Sequence, residues 1–101
     1  MDKNKVLHLL GLCMRANKLI SGEMFVLEKI KSNQAKLVFL ANDAGFNTSK
    51  RIRDKSKFYN VEVIDLFDSL EISSAIGKNN RKAIGIIDKG FAEQIKSVIL
   101  N

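Results

Sequence analysis

Leu37-Val38-Phe39-Leu40-Ala41 is a continuous apolar run of strand length, and its reading decides the fold. A strand with one wet face alternates apolar and polar residues, so a run without alternation belongs in the middle of a sheet covered on both faces. The run closes on Asn42-Asp43-Ala44-Gly45, residue types that make a turn. Beyond it, Asn47 or Thr48 is placed to cap a helix reaching to about Phe58, with Ile52, Ser56 and Tyr59 as its thin apolar face.

Working back toward the N-terminus, Val6, Leu9, Leu10 and Cys13 recur at helical spacing, and Asp2 stands where an N-cap belongs. Leu19 and Ile20 suit a very short strand. Ser21 is placed to cap a second helix carrying Met24, Val26, Leu27 and Ile30 and ending near Ser32 or Asn33. Toward the C-terminus, 61–64 reads as a third strand, and Asp68 with Glu71 makes a capping box for a short helix that Gly77 ends. Lys78-Asn79-Asn80-Arg81-Lys82 is a polar loop, Ala83-Ile84-Gly85-Ile86-Ile87 a last buried strand, and Asp88 opens a final helix with Phe91, Ile95 and Val98 on one face. Helix and strand alternate throughout, which predicts an α/β protein: a three-layer α-β-α sandwich around a small mixed four-stranded sheet, with function in loops at one sheet edge.

The chain of 101 residues, 46% hydrophobic, fits one domain over 1–101 with one core. No apolar run approaches the roughly 20 residues that span a bilayer, and no signal-peptide core opens the chain, so the expected location is cytoplasmic. Cys13 and His8 are each the only residue of their type, which argues against a thiolate metal site, a nucleophile–base pair or a bound cofactor. Asp43, Asp68 and Asp88 are accounted for by turns and caps. The glycines are scattered singly, with no phosphate-loop or dinucleotide pattern, and nothing argues for an enzyme.

A net charge of +6 and a pI near 9.6 favour an acidic partner. Lys50, Arg51, Arg53, Lys55 and Lys57 place five cations within eight residues, opposed only by Asp54, with Lys50, Arg53 and Lys57 along one side of the third helix. That helix has too little apolar surface for a membrane-surface role. Asn79, Asn80, Arg81 and Lys82, with Lys78, form a second cluster able to reach phosphates or base edges. The start of the second helix supplies a third element: Gly22 leaves the backbone bare, the amides of Gly22 and Glu23 face outward, and Lys18 lies just upstream. Phe39 and Phe91 belong in the core and Tyr59 with them, so few exposed aromatics are expected. Phe25, off the stripe of Leu27 and Ile30, either packs inward or presents its ring to a base.

The segments 10–23, 36–44 with Asn47-Thr48, and Ile72-Ser73-Ser74-Ala75-Ile76-Gly77 resemble, in order and over nearly the whole chain, the YlxQ-like bacterial ribosomal proteins of the L-seven-Ae kink-turn RNA-binding superfamily. That resemblance implies an α-β-α sandwich that binds RNA without catalysis through the start of the second helix and nearby loops, with Gly22 matching the family's glycine. The kink-turn readers, a polar Asn-Glu pair and a Lys one turn on, fall at Met24, Phe25 and Glu28, and all three differ from the pattern. The first expectation is therefore a monomeric protein of structured RNA, ribosomal RNA or a ribosome-associated RNA rather than DNA. Phosphate contacts would come from Lys18, Lys50, Arg51 and Arg53, and roughly four of them give a log–log salt slope near −3 to −4. The alternative is a protein-interaction or scaffold module on the same fold that has lost kink-turn recognition, with Met24 and Phe25 as its contact patch.

Overall fold

The apolar run centred on Val38 and Phe39 becomes β2, buried at all four of its positions, in a computed structural model that describes residues 1–101. Around it the order is α1 (Lys3–Arg15), β1 (Leu19–Ser21), α2 (Glu23–Lys31), β2 (Leu37–Leu40), α3 (Phe46–Phe58), β3 (Val63–Ile64), α4 (Ser69–Ala75), β4 (Ala83–Ile86) and α5 (Lys89–Leu100). The sheet order is β1-β4-β2-β3. β2 and β3 are parallel, while β4 runs antiparallel to both β1 and β2, so the sheet is mixed, as expected.

Side-chain alternation sorts the core into two layers. Leu37, Phe39 and Ala41, with Ile84 and Ile86, face α1, α4 and α5, where Val6, Leu10, Cys13, Ile72 and Ile95 meet them. Val38 and Leu40, with Ala83, face α2 and α3 through Val26, Ile30 and Ile52. Each fully buried Leu, Ile or Phe contributes about 1.5–3 kcal/mol relative to exposure, which is why a strand without polar residues is stable only between two helical layers. Desolvation, with the nearby Asp88 carboxylate, pushes the buried Cys13 thiol up to about 12, and its Sγ donates to the Lys18 carbonyl at 3.3 Å.

Three caps are where the sequence puts them. Asp2 accepts from Lys5 N–H, Asp68 and Glu71 make a reciprocal capping box, and Asp88 accepts from Phe91 N–H. Two others differ. The N-cap of α2 is Gly22, because Ser21 is the last residue of β1. Helix α3 starts one residue ahead of Asn47, with Gly45 as its N-cap, so Asn47 and Thr48 lie inside its first turn. The third strand is also shorter than 61–64, since only Val63 and Ile64 pair with β2.

Candidate functional site

Strand direction assembles the site. β1, β2 and β3 run one way and β4 the other, so the C-terminal ends of three strands and the start of the fourth meet at one end of the sheet. That end carries the β1–α2 corner, the turn before α3, the segment before α4 and the loop into β4. Backbone bonds lock the pieces together: Gly22 N–H donates to Ala83 C=O at 3.0 Å, Ala41 N–H to Lys82 C=O at 2.8 Å and Asn42 N–H to Phe67 C=O at 2.9 Å.

The corner itself depends on a glycine. Gly22 has φ +105°, ψ +141°, backbone that L side chains rarely adopt, and a Cβ there would lie 3.6 Å from Phe25 Cδ2. The first intrahelical bond of α2 runs from Val26 N–H to Gly22 C=O, so the amides of Glu23, Met24 and Phe25 precede the ladder, and no side chain caps them. These amides are the uncapped helix start expected from the sequence. The amide of Gly22 is not among them, being held by the sheet.

Ser21 does not cap the helix; its hydroxyl accepts from Arg81 Nε at 3.1 Å. Arg81 also donates through Nη1 to the Asn79 carbonyl at 2.6 Å, and its own N–H reaches Ser73 Oγ at 2.8 Å, which folds 78–82 against the corner. Next to it, Lys82 Nζ donates to Ser69 Oγ at 3.2 Å. That hydroxyl donates in turn to Asp43, whose other oxygen accepts the Ser69 N–H, and these bonds from Ser69 hold the Asp43 carboxyl below its ordinary range. Lys78, Arg81 and Lys82 form no ion pair with any carboxylate. Asn79 and Asn80 are exposed between them, Asn80 in the left-handed region at φ +53°.

Glu23 faces α3. Its carboxylate accepts from Arg51 Nε and, at 2.7 Å, from Thr48 Oγ1; the Arg51 bond first and the Thr48 bond second hold it below the usual carboxylate range. This clasp joins the first turns of α2 and α3. It also occupies Arg51, and the rest of the basic stripe is similarly engaged: Lys50 pairs with Asp54 at 2.8 Å and Arg53 with Asp65 at 2.9 Å. The stripe, read from sequence as opposed by Asp54 alone, is thus answered by three carboxylates, leaving Lys55 and Lys57 without ion pairs. These exposed pairs add little to stability, yet a phosphate must displace a carboxylate to use the cation.

Lys18 is not part of the cluster. It precedes β1 at the opposite end of the sheet, where its carbonyl accepts from Ile87 N–H at 2.9 Å; the three residues of β1 separate it from Gly22 by about 13 Å of extended chain. Exposed aromatics are more numerous than expected. Phe25 is 64% exposed, Phe46 79% and Phe58 78%, with Met24 at 82% beside Phe25. Phe46 and Phe58 are the first and last residues of α3, where helical periodicity carries no information about which way a ring turns. Leu70, on α4, is exposed too and was not anticipated.

The class defined by these features is a small α-β-α sandwich with free helix amides, a cationic loop and exposed rings at one sheet end. The chain belongs to the Ribosomal protein L7Ae/L30e/S12e/Gadd45 family, whose sequence profile matches residues 4–96. It is 47% identical over 98 residues to the RNA-binding protein YlxQ of Enterococcus faecium, covering 97% of this chain and 94% of that one. To the RNA-binding protein YlxQ of Bacillus subtilis (strain 168) it is 38% identical over 91 residues, covering 90% and 91%. Among solved structures, a protein of unknown function from Bacillus halodurans superimposes with TM-score 0.90 at 37% identity, covering 96% of this chain and 98% of that one. The Giardia lamblia 15.5kD RNA binding protein shares the fold with TM-score 0.79 at 13% identity, over 99% and 89% of the two chains.

Proposed function

We propose that this chain binds structured RNA without catalysis, as a monomer, and that ribosomal or ribosome-associated RNA is its target. The observation that carries the reading is the convergence at one sheet end of three uncapped amides, at Glu23, Met24 and Phe25, with three cations that form no direct ion pair, Lys78, Arg81 and Lys82, the last with Asp43 behind Ser69. Amides at a helix start and cationic side chains are both phosphate donors. The names of the two YlxQ relatives support the same conclusion.

The mode of recognition follows from what the edge lacks. Sheared G·A pairs are read by hydrogen-bonding side chains, and Met24 and Phe25 offer none, while the exposed carboxylate of Glu28 stands one turn on. Binding then rests on RNA shape and phosphate positions. With Lys50, Arg51 and Arg53 already paired and Lys18 at the far end, about three phosphates are engaged, giving a log–log salt slope of about −2 to −3. Filter binding to ribosomal RNA fragments across a salt series tests this. Salt-sensitive binding with that slope is expected, and the absence of any salt-sensitive binding to structured RNA overturns the proposal.

A further inference from the structure

We propose that the sheet end opposite the α2 corner is a second phosphate-binding face, and that it takes the backbone of another RNA duplex, so that one chain bridges two RNA helices. The bridge rests on the RNA-binding reading, whereas the face itself stands on where the charge lies.

Helices α1, α2 and α3 all end there. Arg15 closes α1, Lys29 and Lys31 lie in the last turn of α2, and Lys55 and Lys57 in that of α3. Lys18 and Lys36 precede β1 and β2, and both bond the end of β4: the Lys18 carbonyl accepts from Ile87 N–H at 2.9 Å, and Lys36 N–H donates to the Ile86 carbonyl at 2.7 Å. Two strand spacings put these lysines roughly 10 Å apart across the sheet. None of the seven pairs with a carboxylate, and the ammonium groups of Lys29 and Lys36 donate only to the Gln34 side-chain oxygen and the Asn33 carbonyl. Lys89 and Lys96 complete the end, held loosely by Glu93 at 3.9 Å and Glu62 at 3.7 Å. With Asp88 capping α5 and Glu28 exposed on α2, this end holds nine of the chain's 17 cations but four of its 11 carboxylates. Five of the six net positive charges therefore lie here, and one on the rest of the molecule.

Cations in last turns answer the helix macrodipole, but that accounts for only part of the surplus. Three helix ends carry about half a negative charge each, and Lys18 and Lys36 are in no helix. Lysine supplies eight of the nine cations. A protein interface is depleted of lysine and built around an apolar centre, whereas a phosphate backbone needs only point charges. The exposed apolar side chains at this end, Phe58 and Leu12, are on helices in opposite layers, so they make neither such a centre nor an apolar face for a lipid surface. Asn17, Asn33 and Asn60 follow the three helices, exposed and left-handed at φ +60°, +61° and +58°. Glycine would serve that backbone, and asparagine adds an amide able to donate to a phosphate oxygen. The molecule is 25–28 Å across, which exceeds the roughly 8 Å screening length at physiological salt, so the two ends act on separate backbones. Fixed helix amides hold a hairpin at the α2 corner more tightly than flexible lysines do, so one equivalent of a short hairpin leaves this end free.

The test captures the full chain on an immobilised ribosomal RNA hairpin and offers it a short, fluorescent, fully paired RNA duplex of unrelated sequence. Wild type should recruit the duplex at about 50 mM salt, with affinity for it falling about 15–60-fold by 200 mM, as two to three phosphate contacts require. Combining Lys18→Ala, Lys36→Ala and Lys57→Ala should cut recruitment at least about tenfold, with capture on the hairpin changed by less than about twofold and the urea midpoint unchanged. Combining Lys78→Ala, Arg81→Ala and Lys82→Ala should do the reverse, losing capture while the chain still binds the free duplex. Capture without recruitment, or recruitment that survives the lysine substitutions, overturns the second face and leaves the RNA-binding reading standing. If captured wild type retains no duplex but takes vesicles of phosphatidylcholine with phosphatidylserine through the same lysines, the end belongs to a lipid surface and the inference is overturned. If the hairpin captures no wild-type chain, the RNA-binding reading and the bridge fall together.

Discussion

The two basic stretches of this chain, 50–57 and 78–82, look alike in sequence and end in opposite electrostatic states. On α3, three of five cations are answered by carboxylates: Lys50 by Asp54, Arg51 by Glu23 and Arg53 by Asp65. In the loop before β4, Lys78, Arg81 and Lys82 form no direct ion pair, and the carboxylate nearby, Asp43, is joined to Lys82 only through the Ser69 hydroxyl. The denser run of charge is therefore the less available one. Fold topology makes the difference, because it brings Glu23 and Asp65 into direct contact with α3 while Asp43 meets the loop only through Ser69.

That comparison is broken or sharpened by substitution. The largest effect should come from combining Lys78→Ala, Arg81→Ala and Lys82→Ala, which should lower affinity for ribosomal RNA fragments by roughly 10²–10³-fold near 0.1 M salt, about tenfold per phosphate lost, and flatten the salt slope. Combining Lys50→Ala with Arg53→Ala should change affinity by less than about threefold, since those cations are already spent on Asp54 and Asp65. Equal losses in the two variants, measured by filter binding, would erase the distinction.

Next in size, Gly22→Ala should cost about 2 kcal/mol or more, read as a lower urea midpoint, because it forces an L side chain to φ +105° at the corner that supports the α2 amides. Glu23→Gln opens the clasp and frees Arg51, so RNA affinity should rise by up to about tenfold as one more phosphate contact becomes available. The same variant reports on pH. Since the folded-state carboxyl of Glu23 is held below its ordinary 4.5, the clasp stabilises the fold fully above about pH 4.5 and loses that contribution as pH falls through the lowered value. Glu23→Gln should therefore show a shallower loss of stability on acidification than wild type. The smallest effect lies on the inner side of α3, where Ser56 is buried with its hydroxyl unpartnered. Ser56→Ala should raise stability by about 1 kcal/mol in a denaturant titration.

Local signals in the sequence carried most of the fold. The run at 37–41, the capping box of Asp68 and Glu71, and the stripe of Val6, Leu9, Leu10 and Cys13 each depend on neighbours within one turn or one strand, and each is present, the strand ending one residue early at Leu40. The site was legible in outline, through Gly22 and the loop 78–82, but not in its pairing. Arg51 meets a carboxylate 28 positions away and Arg53 one 12 positions away, separations that no helical or strand period encodes. Lys18 was placed at the site by sequence proximity, and a strand of three residues was enough to carry it to the other end of the sheet. Ser21 shows the same limit at smaller scale. One residue of strand register decided whether its hydroxyl faced the helix amides or Arg81.

The central claim is that RNA docks on one end of the sheet, at the α2 corner and the loop before β4, and not along the α3 stripe. Amide-resolved NMR titration of the full chain with a ribosomal RNA hairpin tests it most directly. The account predicts the largest shifts at Glu23, Met24, Phe25 and residues 78–82, with Lys18 and residues 55–58 unmoved. Shifts concentrated along 50–57 with the α2 corner silent would contradict it.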